Sequence, residues 1–78
     1  MEQATRANGP MVVIDADEMR RRRQLKGLSQ TALAALAQVH NSHISHIESG
    51  RRPTVSPAAF ARICDALEIQ DRSELMAS

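Results

Sequence analysis

Apolar positions along this chain come in short bursts at helical spacing, each bounded by a residue that starts or stops a helix. Asp15 with Glu18 three residues later makes a capping box, and Ile14, just ahead of the cap, is placed to staple onto Met19. The helix announced there runs through four arginines to Lys26, where Gly27 supplies a left-handed stop. Ser29 caps a second helix, "QTALAALAQ", in which Leu33, Ala34 and Ala37 share one face. After a break at Val39-His40, a third runs from about Asn41 to Ser49, with Ile44 and Ile47 as its apolar pair, and ends at Gly50. "RRPTV" is a loop, because Pro53 cannot continue a helix. Ser56-Pro57 then opens a fourth helix with Ser at the cap and Pro at the first helical position. Phe60, Ile63, Cys64 and Leu67 give it a continuous core face. Asp71 with Glu74 caps a short final helix holding Leu75 and Met76.

The pattern predicts an all-α, compact five-helix domain over residues 15–78. Residues 1–14 are expected as a flexible N-terminal arm, since "MEQATRANGP" has little apolar content. Within that arm "MVVI" (11–14) reads either as a short extended stretch or as an apolar lead-in to the first helix.

Composition narrows the function classes. Phe60 is the one aromatic side chain, which argues against a single-stranded nucleic-acid reader built on base stacking and against an aromatic-lined ligand pocket. Cys64 stands alone, so no internal disulfide forms. The longest apolar run, Ala32 to Ala37, is six residues, too short to span a membrane. No signal peptide opens the chain, so a cytoplasmic protein is expected.

The formal net charge is only +1, but it is unevenly spread. Residues 1–19 hold one Arg against four acids, net −3. Residues 20–52 hold seven bases (Arg20 to Arg23, Lys26, Arg51 and Arg52) against Glu48, net +6. Residues 53–78 hold two Arg against four acids, net −2. A basic middle between acidic flanks suits one face turned toward a polyanion.

The third helix has an unusual surface. On a helical wheel Ile44 and Ile47 make a narrow apolar edge. The opposite edge carries Ser42, Ser45, Ser49 and His46, with the Asn41 amide at the first turn. An ordinary exposed helix shows Lys and Glu pairs there. Small neutral donors and acceptors instead suit close approach to hydrogen-bonding edges, such as those in the DNA major groove, which admits one helix.

These features converge on a family. "GLSQTALAALAQVHNSHISHIESG" followed by "SPAAFARICDALEI" resembles the phage repressor/Cro-like (lambda repressor-like) helix-turn-helix DNA-binding family over residues 15 to 76. The resemblance implies that Gln30 touches a phosphate and braces the recognition helix. It places Asn41, Ser42, Ser45 and His46 at base edges, and His40 at the recognition-helix cap. It implies an ion pair between Arg23 and Glu48, and phosphate contacts from the loop holding Arg51 and Arg52. Arg20 and His43 are added as phosphate neighbours. The chain departs from the family pattern at Arg22, Leu36 and Ala37, and at Gln38, which replaces the turn glycine.

His40, His43 and His46 are spaced by three, but helical rotation spreads them around the helix and no Cys, Asp or Glu completes a tetrahedral set; no metal is expected. Cys64 lies on a core face and reads as a small hydrophobe. With no glycine-rich phosphate cradle and no base near Cys64, no enzymatic activity and no cofactor are expected. The expected function is sequence-specific double-stranded DNA binding. The expected type is a transcriptional repressor of the phage Cro or immunity-repressor kind, or a small bacterial regulator. A homodimer through Leu75 and Met76 is expected, with no membrane and no small-molecule partner. The alternative is an antitoxin that binds both DNA and a partner protein.

Overall fold

The computed structural model describes residues 10–77. Four α-helices follow a short strand: β1 (Val12–Val13), α1 (Ala16–Leu25), α2 (Gln30–Ala37), α3 (Asn41–Glu48), β2 (Thr54–Val55) and α4 (Pro57–Ala66). A 3-10 turn, Arg72–Leu75, closes the described chain. The expected fifth helix is therefore a single tight turn, and the domain also holds a small antiparallel sheet pairing Val12 with Val55 and Val13 with Thr54.

Tertiary pairing decides both differences. Within "MVVI", Val12 and Val13 become a strand because β2 lies beside them, and the following chain is tied further: Ile14 N–H donates to the Pro53 carbonyl at 2.7 Å and Asp15 N–H to the Leu75 carbonyl at 2.8 Å. Ile14 also bridges Met76, and Ala77 N–H donates to the Val13 carbonyl at 2.9 Å. Those bonds pull Met76 into extended backbone after one turn, so an α-helix has no room to propagate. Asp71 caps the turn by accepting from Ser73 N–H, while the Glu74 carboxylate reaches across to Arg22. The segment expected as an arm divides accordingly. Residues 1–9 lie outside the described residues, whereas Val12 to Ile14 are built into the fold.

The helix starts follow the local chemistry. Asp15, Ser29 and Ser56 each accept from the third backbone N–H beyond, at 3.1, 3.0 and 3.2 Å. Only half of the first capping box forms, because the Glu18 carboxylate turns to Arg21 and Arg22 instead. Three helix ends use one geometry. Leu28 N–H returns to Arg23, Val39 to Ala34 and Ile69 to Cys64, each across a residue of positive φ: Gly27, Gln38 and Glu68.

α2 packs against both α3 and α4, with α1 crossing α3. Leu33, Ala37, Ile44, Ile47, Ile63 and Leu75 are fully buried in the shared core; Met19 joins it from α1, and Ile14 from the segment just before the α1 cap. Leu75, expected on an exposed dimer surface, is 0% exposed; the final turn folds its side chain inward. Met76 beside it stays on the surface. Cys64 is buried, which pushes its thiol pKa up. Among the described residues no helix is long and apolar enough to cross a membrane.

Candidate nucleic-acid interface

The core contacts determine which side of α3 faces out. Ile44, Ile47 and Glu48 are buried, and Asn41, Ser42, Ser45 and Ser49 are exposed, with His43 and His46 half-buried between them. The hydroxyl-and-amide edge is therefore solvent-facing along the full length of the helix.

α3 is held by a polar hub at its C-terminal end. Glu48, 5% exposed, is the buried charged residue among the described residues. Arg23 grips its carboxylate with two bonds, Nε to Oε2 at 2.6 Å and Nη2 to Oε1 at 2.9 Å. The third Arg23 nitrogen donates to the Leu28 carbonyl at 2.7 Å, so the fork is fully used. That carboxylate holds the Arg23 pKa above its ordinary value. Gln30 adds a bond from Nε2 to Glu48 Oε1 at 3.1 Å. Arg20 donates to the Glu48 carbonyl at 3.2 Å, at the negative end of the α3 dipole. Helices α1, α2 and α3 thus meet on one carboxylate, and the angle of the exposed edge is set there.

The arginines divide sharply. Arg20 pairs with Asp17, Arg21 and Arg22 with Glu18, Arg22 also with Glu74, and Lys26 with Glu68. With Arg23 on Glu48, five of the seven bases in residues 20–52 have acidic partners. Arg20, expected at a phosphate, spends its guanidinium on Asp17 and on α3. Arg51 and Arg52 are exposed and, among the described residues, have no acidic partner. Backbone bonds hold their loop against α3: Arg52 N–H donates to the His46 carbonyl at 3.1 Å and Arg51 N–H to Ser49 Oγ at 3.2 Å.

His43, also expected at a phosphate, turns Nε2 inward to the Thr54 carbonyl at 3.3 Å, linking α3 to β2. His40 occupies the cap of α3 but makes no side-chain capping bond. The first-turn N–H groups of α3 therefore have no hydroxyl cap of the kind that Ser29 and Ser56 supply. Beside them, Thr31, Ala34, Ala35, Val39, His40 and Asn41 line a shallow concavity of about 320 Å³. Among the described residues no cluster of three or more His, Cys, Asp or Glu is arranged to hold a metal.

Two short helices, α2 and α3, joined through a left-handed residue and presenting an exposed polar edge beside unpaired arginines, form a recognisable unit. The family model for the helix-turn-helix domain matches residues 16–76. The chain belongs to the helix-turn-helix domain family. Within it, the phage repressor/Cro-like resemblance holds, and the family is one of DNA-binding transcription regulators. Among solved structures, the domain is similar to the restriction-modification controller protein C.AhdI from Aeromonas hydrophila. That match has 34% identity and a TM-score of 0.70, and covers 78% of this chain and 89% of that one. It is also similar to a chain of the SinR protein/SinI protein complex, at 25% identity and a TM-score of 0.69, covering 77% of this chain and 58% of that one. No curated protein sequence matches the chain.

The polar edge read on a helical wheel is exposed on α3, and the Arg23–Glu48 contact that the family resemblance implies is present. Sequence reasoning missed the Arg20 bond to the α3 carbonyl and the His43 tether, because each depends on where a distant segment comes to lie. It also missed Arg62, whose Nε donates to the Ala37 carbonyl at 2.8 Å and closes the end of α2.

Proposed function

We propose that this helix-turn-helix domain is a sequence-specific regulator that lays α3 in the major groove of duplex DNA. The observation that carries the reading is the pairing of an exposed Asn41-Ser42-Ser45 edge with Arg51 and Arg52, cations left without acidic partners. Asn41 bonds adenine through both atoms of its amide, and Ser42, Ser45 and His46 add weaker base contacts. Arg51 and Arg52 grip the backbone and confer register without sequence information. Gln30 keeps a second amide N–H beyond the one given to Glu48, free to donate to a phosphate. Arg20 acts at one remove, steadying α3.

Occupying a promoter is the simplest output, that of a phage Cro or immunity repressor or a small bacterial regulator. The similarity to a restriction-modification controller is in keeping with a regulator of that size. One domain makes few phosphate contacts, so a homodimer on a two-fold site with half-sites ~34 Å apart is proposed. With Leu75 buried, Met76 is the exposed part of the C-terminal surface first expected to serve it. A second reading, an antitoxin that binds DNA and a protein, draws on Leu36, 58% exposed where the family is usually polar, and on a similar chain being seen with SinI. Co-purification of a neighbouring gene product distinguishes it.

Binding selection from random duplexes, repeated on Asn41→Ala and Arg51→Ala, tests the main reading. Asn41→Ala is expected to relax preference at one base pair by about 1–3 kcal/mol. Arg51→Ala is expected to weaken all sequences alike. A chain that ignores every duplex at low ionic strength would end the proposal.

A further inference from the structure

The inserted helix carries no lysine or arginine; its basic side chains are His43 and His46, with His40 at its cap. An imidazole is the side chain whose ordinary pKa, about 6.5, lies inside the range of cellular pH. His43 has its tautomer set by geometry. The Thr54 carbonyl can only accept, so Nε2 carries the proton, and the neutral ring is left with Nδ1 as a bare acceptor. A neutral ring with a bare acceptor offers nothing to an anion, whereas a proton on Nδ1 gives the ring a positive charge and a second donor.

The charged groups around these rings leave that role to the histidines. On α1, Arg20 and Arg23 are engaged with Glu48, the acid of α3 itself. α2 has no charged residue. On α4, Arg62 donates to the end of α2 and Asp65 pairs with Arg72. Neither strand carries a charge, and the loop between α3 and β2 brings only Arg51 and Arg52. No unpaired carboxylate among the described residues on these elements competes with DNA for a protonated imidazole.

We propose that duplex binding is linked to proton uptake on this helix, through His43 and its neighbours His40 and His46, so that the protein holds DNA more tightly as pH falls from 8 to 6. The linkage rests on α3 being the DNA-reading helix. Docked phosphates favour the charged rings, so the added affinity is complete below the free-ring pKa and is lost as pH rises through the DNA-bound one. Arginines keep their charge throughout this range, and burial raises the Cys64 thiol away from it.

The test measures affinity for a short mixed-sequence duplex at pH 6, 7 and 8 and constant low ionic strength, with circular dichroism confirming the fold at each pH. The intact chain is expected to bind about tenfold or more tightly at pH 6 than at pH 8. The triple variant H40Q/H43Q/H46Q, which keeps an amide donor at position 43 for Thr54, is expected to lose that ratio. A ratio below about twofold in the intact chain overturns the linkage while leaving DNA binding in place. A ratio that persists in the triple variant also overturns it. Should the triple variant not fold, imidazole proton resonances of the intact chain, titrated with and without duplex, decide: the rings must titrate at higher pH with DNA present, and unchanged titrations overturn the linkage. Absence of duplex binding at every pH instead removes the DNA-binding reading and the linkage with it.

Discussion

Two groups of arginines, Arg20–Arg23 on α1 and Arg51–Arg52 after α3, look interchangeable as letters and are opposites in the fold. The first group is consumed by the protein: Asp17, Glu18, Glu74 and Glu48 take up its charge, and Arg20 and Arg23 fix the pose of α3. The second group meets no acid among the described residues and stands beside the exposed edge of α3. A run of positive charge is thus no measure of charge offered to a partner. What counts is the acid within reach, and folding supplies it.

The sharpest way to break this contrast is to remove Glu48. Glu48→Ala leaves the nearly buried Arg23 fork without its partner and is expected to destabilise the domain by about 3 kcal/mol or more in chemical denaturation. A loss under about 1 kcal/mol shows that Arg23 finds water and that the hub does not fix the pose of α3. Next in size is Arg51→Ala with Arg52→Ala. The pair is expected to lower the slope of log affinity against log salt by about 2 while leaving stability within about 0.5 kcal/mol. Arg21→Ala, the matched change in the other group, is expected to move neither, because its exposed pair with Glu18 has little worth in water. Equal salt effects from the two groups would erase the distinction.

A smaller effect concerns the turn between α2 and α3. Gln38 sits at φ 57°, a left-handed conformation costly for any residue with a Cβ, and Gln38→Gly is expected to raise stability by about 1 kcal/mol. A lower melting temperature would show that the glutamine side chain has a role of its own. The last test is acid. Arg21 and Arg22 hold the Glu18 pKa down at about 2, below its ordinary 4.5, so its contribution is present above the ordinary value and is lost as pH falls toward 2. A melting temperature that is flat across that window removes Glu18 as a contributor.

The turn residues show how far the helix boundaries were legible. Gly27 announced the end of α1, since glycine is the usual occupant of a left-handed stop. Gln38 and Glu68 adopt the same geometry without any such signal, because the packing of the next segment imposes it. The caps at Ser29 and Ser56 were readable, being bonds between residues three apart. The bond from His43 to Thr54 was not, spanning eleven positions and depending on a strand that exists only as half of a pair.

Local chemistry along the chain therefore determined the four helices, their caps, the apolar faces and the hydroxyl-rich edge of α3, because each depends on residues within about one or two turns. The tertiary structure alone decided that Val12 and Val13 pair as a strand, that the last helix is a single turn with Leu75 inward, and that most of the arginines are already spoken for. A strand needs a partner for its backbone bonds and a charge takes its meaning from its neighbours, and both are brought by chain segments far away in sequence.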